Sequence, residues 1–264
     1  RVIESAGGKG MNVARVLKAL GAEVTVAGFL AGLNAGRFKA LLERDGLDGP
    51  FVQVAGETRE CQILVDGTGQ PMEINDPGPW ADASDWERLA AELPEGRLVV
   101  SGSLPRGLSP EEFKSFLTDV AERRGEEPIV DTSGPFLVAA VAARAALGKT
   151  DEHEIGLLSA GVADPVEAAK EVNARTGVPV LLTLGAAGAA YVGVESAFVP
   201  APAIDAVNPV ASGDCLLAAF LWASAEAWPP AEALRLGVAA GAANARHGGG
   251  GRLSREQVFE QLRQ

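Results

Sequence analysis

Along most of the chain, segments with apolar residues at helical spacing alternate with short apolar runs, and that rhythm admits few folds. "MNVARVLKALG" (11–21) carries the helical period and stops at a glycine, and "EVTVAGFL" (23–30) reads as a strand. A helix around 35–45 follows. "RLVVSGSLP" (97–105) reads as a buried strand running into a loop. "SPEEFKSFLTDVAERRG" (109–125) has Ser109 as cap, Pro110 at the first helical position and Gly125 as stop. The strand "PIVDTS" (128–133), helices around 135–147 and 164–176, and the strand "VPVLLTLG" (178–185) keep the beat. A hairpin through "AAYVGVESAFVP" (189–200) precedes helices at 214–227, 230–246 and 254–263. The pattern predicts a doubly wound α/β fold, with a mainly parallel sheet, helices on both faces and right-handed crossovers.

One stretch breaks the rhythm. "FVQVAGETRECQILVDGTGQPMEIN" (51–75) has no helical period and places the turn "DGTG" (66–69) between strand-like runs. Two strands inserted into a βαβ chain suit a flap over a site; a plain edge hairpin has the same pattern. With no internal repeat or low-complexity linker, the 264 residues read as one domain bearing a small β lid.

An apolar content of 47% is ample for a large core, and with only 5% aromatics that core must be built from Ala, Val and Leu. A net charge of −12 argues against nucleic acid or an anionic membrane as partner, since both need a basic face. Two cysteines, Cys61 and Cys215, make no disulfide framework and suit a reduced, cytoplasmic protein. No apolar run reaches membrane-spanning length, and no signal peptide is visible.

The chemistry-bearing residues gather at a few junctions. In "NPVASGDC" (208–215) a carboxylate, Asp214, stands where small residues give way to an apolar helix. A helix start collects unpaired N–H groups and attracts anions, yet Asp is also a common N-cap. "SAGGKGMNVA" (5–14) opens a helix with Gly7, Gly8 and Gly10 for close approach of backbone to ligand, Lys9 as a point charge and Asn12 as donor and acceptor. A glycine-rich turn with a solvated lysine is the plain alternative. Arg59 in "GETRE" (56–60) suits bidentate recognition of phosphate or carboxylate, or is surface decoration. Ser103 in "SGSLP" (101–105) follows a buried strand, where ligands of open α/β sheets bind.

"GKTDEHE" (148–154) resembles the tail of a phosphate-binding P-loop, but the leading glycine is Ala143 and no buried strand is read before it. Asp151 and Glu154 there could hold a hydrated Mg²⁺, or form a solvated acidic helix start. In "TLGAAGAAYV" (183–192), Gly185 and Gly188 could face a nucleotide or make an ordinary left-handed turn. No dinucleotide fingerprint follows a strand, no G-x-S-x-G is present, and no Cys/His spacing suggests zinc.

Taken in order, "GGKGMNVARVLKALG", "GETR", "SGSLPRG", "DTSG", "TLGAAG" and "NPVASGD" resemble the ribokinase/PfkB carbohydrate kinase family, in its phosphosugar branch of 1-phosphofructokinases and tagatose-6-phosphate kinases. The resemblance spans essentially the whole chain. It implies a doubly wound α/β domain whose β lid commonly forms a dimer contact, so a homodimer through the lid. It also implies transfer of the ATP γ-phosphoryl group to a sugar hydroxyl. Asp214 would be the catalytic base, with Ala211, Ser212 and Gly213 as the anion hole. Gly8, Lys9 and Arg59, with Ser103, would grip the sugar's phosphate, and Asn12 its hydroxyls. Glu154, beside Asp151, would order the Mg²⁺ shell. Thr183, Gly185 and Gly188, with the 237–247 region including Asn244, would line the nucleotide pocket.

Three departures from the family pattern bear on this. Ala211 stands where the family usually has Gly. Lys149-Thr150-Asp151 replaces a Lys-Pro-Asn. Family members also carry a first strand, with a sugar-binding aspartate, ahead of the position of Arg1. The expected substrate is a ketohexose monophosphate, fructose 1-phosphate or tagatose 6-phosphate. The rivals are a kinase of an unphosphorylated sugar or nucleoside, and a non-catalytic sugar-phosphate or nucleotide binding module.

Overall fold

The structure, a computed structural model, describes residues 4–65, 71–247 and 250–264. Its frame is a six-stranded sheet built from β5 (Val99–Ser101), β6 (Ile129–Asp131), β7 (Leu147–Asp151), β8 (Val180–Thr183), β9 (Ala189–Val192) and β10 (Ala197–Val199). Strands β5 to β8 run parallel in that order, and β9 and β10 follow antiparallel at one side. A separate parallel pair joins β1 (Gly28–Leu30) to β2 (Phe51–Gln53). The hairpin of β3 (Cys61–Val65) and β4 (Pro71–Asn75) lies where the lid is expected, and is narrower than 51–75 because Phe51–Gln53 belongs to the β1 pair. The turn read at "DGTG" lies outside the described residues.

The period of two along the strands sorts side chains onto two faces. Ile129, Leu147, Leu181 and Ala189 pack with α1 (Lys9–Ala19), α7 (Ser212–Ala225), α8 (Pro230–Arg246) and α9 (Arg255–Leu262). On the other face, Val180, Leu182, Ala190 and Val192 meet α5 (Gly134–Ala142) and α6 (Pro165–Thr176). Val130 on that face packs with α4 (Pro110–Arg124) and the aromatic Trp86 of α3 (Ala83–Glu92). Helix α4 ends as its sequence dictates: Ser109 and Glu112 form a capping box and Gly125 closes it at φ 66°.

Two elements differ from the sequence reading. The helix expected at 135–147 stops at Ala142, and Leu147–Asp151 is the strand β7, in the interior of the sheet. Its polar Lys149, Thr150 and Asp151 hid it, since a buried strand is read from apolar residues. Helix α3 was also unread, although its capping box on Asp82 and Asp85 is well formed.

The pairing of α7 with α8 positions the functional end of the molecule. Helix α7 is buried nearly throughout, from Asp214 to Ala223. Gly237 and Gly241 of α8 let it close on α7: a Cβ at Gly237 would stand 3.0 Å from the Leu216 carbonyl, and one at Gly241 3.1 Å from that of Ser212. The 237–245 stretch is therefore core packing, in keeping with a chain that must fill its interior with small side chains.

Candidate active site

The four parallel strands end, at their carboxyl edges, in Ser101, Asp131, Asp151 and Thr183. Ligands of open α/β sheets bind beyond this edge, and here every strand finishes in a polar side chain. Asp131 is fully buried at the centre of a charge cluster. Its Oδ1 lies 3.2 Å from Lys9 Nζ and 3.4 Å from Lys149 Nζ, while Ser101 Oγ donates to Oδ2 at 3.1 Å. Lys149 is itself buried, whereas Lys9 keeps part of its side chain open. Burial opposes the charge on Lys9, but neighbouring Asp131 outweighs it and holds the ammonium pKa above its usual value.

Across this cluster stands the start of α7. Ala211, its N-cap, sits in the left-handed region at φ 70°. Ser212 N–H donates to the Pro209 carbonyl at 3.1 Å. Among the described residues, no acceptor takes the N–H of Gly213 or Asp214, as a first helical turn dictates. The unpaired N–H groups at this start are thus those of Gly213 and Asp214, while that of Ser212 is engaged by Pro209. Lys149 adds charge there, its Nζ 3.3 Å from where a Cβ on Gly213 would stand.

Asp214 is 5% exposed, and Asn12 Nδ2 donates to its Oδ2 at 2.8 Å. Burial pushes its carboxyl up to about 6; the Asn12 hydrogen bond, Lys149 and Lys9 restrain the rise. A carboxylate with that value is near the optimum for taking a proton at neutral pH. It does not cap α7, since no side-chain cap bond is made there.

An L-residue at φ 70° is strained by roughly 1–2 kcal/mol, part of which glycine returns as unfolded-chain entropy. Ala211→Gly is therefore expected to raise stability by less than about 1 kcal/mol in denaturant titrations, with turnover retained.

The remaining expected residues divide. Gly8 stands at φ 108° as N-cap of α1, a backbone shape that favours glycine, and leads directly into Lys9. Glu154 is half-buried, and its Oε2 is sealed from solvent with no hydrogen-bond partner among the described residues. Burial and nearby Asp151 raise its pKa. Asp151 turns inward instead: its Oδ1 accepts the N–H of His153 and of Glu154, both at 2.9 Å. No group of three or more metal-ligating side chains is found among the described residues. Arg59 is exposed at the root of the lid, its stem against Gly78, and no described carboxylate pairs with it. Ser103 is exposed in the loop after β5, and it is Ser101 that reaches the charged cluster.

Near the expected nucleotide pocket, Thr183 Oγ1 donates to the Thr150 carbonyl at 3.3 Å, and Gly185 opens a short 3₁₀ turn at φ 53°. Gly188 is explained by packing, for a Cβ there would run into the Val199 carbonyl. Asn244, expected in the nucleotide pocket, has its side-chain amide engaged within the protein. It is buried, with Nδ2 donating to Val210 O (2.9 Å) and Ser212 Oγ (3.1 Å) and Oδ1 accepting from Gly251 N. It braces the mouth of α7. Asp131, Ser101 and Lys149 were missed as site residues; the signal available was their place at or near the ends of short buried runs. A separate groove of 570 Å³, lined in part by Pro110, Lys114, Pro135, Val138 and Leu157, includes none of these residues.

Residues 1–257 match the pfkB family of carbohydrate kinases. The chain is 34% identical over 229 residues to the 1-phosphofructokinase of Escherichia coli K12, covering 82% of this chain and 72% of that protein. It is 37% identical over 255 residues to the 1-phosphofructokinase of Haloferax volcanii, covering 89% and 77%. Among solved structures, phosphofructokinase-2 from Escherichia coli in complex with potassium superposes with a TM-score of 0.88 at 28% identity, over 97% of this chain and 87% of that one. With the buried Asp214 at a helix start, the two lysines and the strand-end carboxylate in one place, the chain belongs to the pfkB family of carbohydrate kinases, a sugar-phosphate phosphotransferase that uses ATP.

Proposed function

We propose that the chain transfers the γ-phosphoryl group of ATP to a hydroxyl of a ketohexose monophosphate, with fructose 1-phosphate as substrate. The observation that carries this reading is Asp214, buried at the mouth of α7 beside unpaired N–H donors and two lysines. Asp214 accepts the proton of the attacking hydroxyl as the new O–P bond forms and the bond to the β-phosphate oxygen breaks. Asn12 holds Oδ2, leaving Oδ1 for the hydroxyl. Gly213 and Asp214 N–H stabilise charge on the transferring oxygens, and Lys149 and Lys9 add to the field.

Glu154 suits a hydrated Mg²⁺ by donor type: it is a half-buried carboxylate with no hydrogen-bond partner for Oε2 among the described residues, and carboxylate oxygen is the ligand that ion takes. When bound, the metal would neutralise phosphate charge. Arg59 and Lys9 would grip the phosphate already on the sugar, a role supported by Arg59 having no ion-pair partner among the described residues and by relatives named 1-phosphofructokinase. The lid supports a second copy of this chain as partner: Leu64, Met72 and Ile74 share one of its faces and are exposed. The free cysteines suit a reducing cytoplasm.

The test is a panel of fructose 1-phosphate, tagatose 6-phosphate, fructose 6-phosphate, fructose and ribose. kcat/KM is expected to be highest for fructose 1-phosphate. Arg59→Gln should raise KM for the phosphosugar about 10–100-fold, the worth of one charge-assisted hydrogen bond, and leave that for fructose unmoved. A preference for ribose or fructose would overturn the reading.

A further inference from the structure

One buried cation plays no part in the chemistry above. Arg15 lies one helical turn beyond Asn12 on α1, is 8% exposed, and reaches in three directions. Its Nε donates to Asp45 Oδ2 at 2.6 Å, Nη2 to the Ala6 carbonyl, and Nη1 to Asn12 Oδ1 at 2.9 Å and Gly250 O at 3.4 Å. Asp45, the C-cap of α2 (Asn34–Arg44), also takes Arg252 at 3.1 Å. A chain of side chains thus runs Asp45–Arg15–Asn12–Asp214.

We infer that Arg15 is a positioning residue for the base: it fixes the amide of Asn12 so that nitrogen, not oxygen, faces Asp214. A guanidinium has donors only, so the Asn12 atom turned toward it must be the carbonyl oxygen. Nδ2 is then directed away from the cation, onto Asp214 Oδ2. The loop at Gly251 presses on the same residue, since a Cβ there would come within 3.1 Å of Asn12. Asp45 in turn anchors the guanidinium, whose pull, with that of Arg252, holds the Asp45 carboxyl below its usual range despite burial.

The consequence falls on Asp214. A donated N–H favours the ionised acid. Released from Arg15, the Asn12 amide can turn over and present oxygen, which only the protonated acid can meet. The charged groups facing Asp214 are Lys9 on α1, Asp131 on β6 and Lys149 on β7, and those facing Arg15 are Asp45 and Arg252. None of Lys9, Asp131 and Lys149 is a partner of Arg15, so altering Arg15 reaches Asp214 through Asn12.

The inference rests on Asp214 being the base, and its test is a cycle of Arg15→Met, Asn12→Ala and the double variant. The Asp214 carboxyl is titrated by NMR in the free protein, with Asp214→Asn to assign the signal. Each single variant is expected to move the titration alkaline by about one pH unit, the worth of a hydrogen bond to a charged group, and the double variant no further. With fructose 1-phosphate, the acid limb of kcat/KM should move equally in both. Shifts that add, or an Arg15 variant that leaves Asp214 unmoved, would overturn it. Arg15→Lys supplies the reading if Arg15→Met does not fold: it keeps charge opposite Asp45 but cannot hold Asn12, Ala6 and Asp45 together, so an intermediate shift is expected and none would refute. Because the titration needs neither sugar nor nucleotide, a failure of the substrate panel leaves this result independent.

Discussion

Replacing Asp214 by asparagine is expected to cut kcat about 10²–10⁴-fold, the usual worth of a general base, while making the protein more stable at pH 8. The two effects share one cause. Burial holds the Asp214 carboxyl at about 6 in the folded chain, against 3.8 for an ordinary aspartate. An acid with a raised folded pKa opposes folding whenever it is ionised. The cost is absent below about pH 4, grows between pH 4 and 6, and is complete above that. The difference corresponds to roughly 3 kcal/mol at most. Asparagine removes the charge, and its carbonyl can still accept from Asn12. Melting curves of parent and variant should therefore separate by several degrees at pH 8 and converge near pH 4. In the parent, kcat/KM should climb through pH 6, reporting the free enzyme. Turnover within tenfold of the parent would mean that another group takes the proton.

Asp131→Ala should be the most damaging change away from the base. Asp131 is the shared partner of Lys9 and Lys149, and it is fully buried. Removing it leaves two ammonium groups facing each other, one of them inside the protein. Breaking a buried pair from one side costs about 3–5 kcal/mol, because the remaining charge is uncompensated. For a chain of this size that is a fall of about 10 °C in Tm. Asp131→Asn should be milder, since the amide oxygen still accepts from Ser101 or one lysine. Activity should fall in both, as Lys9 loses its anchor. Denaturant titration at pH 7 checks the first claim, and a loss under about 1 kcal/mol would show that Lys149 finds another partner.

Much of this site was legible in the sequence, and the reason is local. The helix start at Asp214, the glycine turn before Lys9, and Ser109 with Gly125 around α4 are set by backbone chemistry that a few adjacent residues dictate. The misses are non-local. Strand β7 carries Lys149 and Thr150 in its buried run, and Lys149 is satisfied there by Asp131 of the neighbouring strand rather than by an apolar neighbour. Asp131 became a site residue only when the sheet set it between two lysines from distant segments. For Asn244 and Gly188 a nucleotide role is what the family resemblance implies. Their contacts with Ser212 and Val199 are non-local, and no local pattern announces them.

The hydrogen bond from Asn12 to Asp214 joins residues 202 apart in the chain. A ribosome adding about 5–20 residues each second needs on the order of 10–40 s to bring the second into existence after the first. Until α7 docks on α1, Asp214 is an ordinary surface acid with no amide partner and no lysines around it. With Asp214 as the proposed base, an unfinished polypeptide would therefore have no assembled site with which to spend ATP.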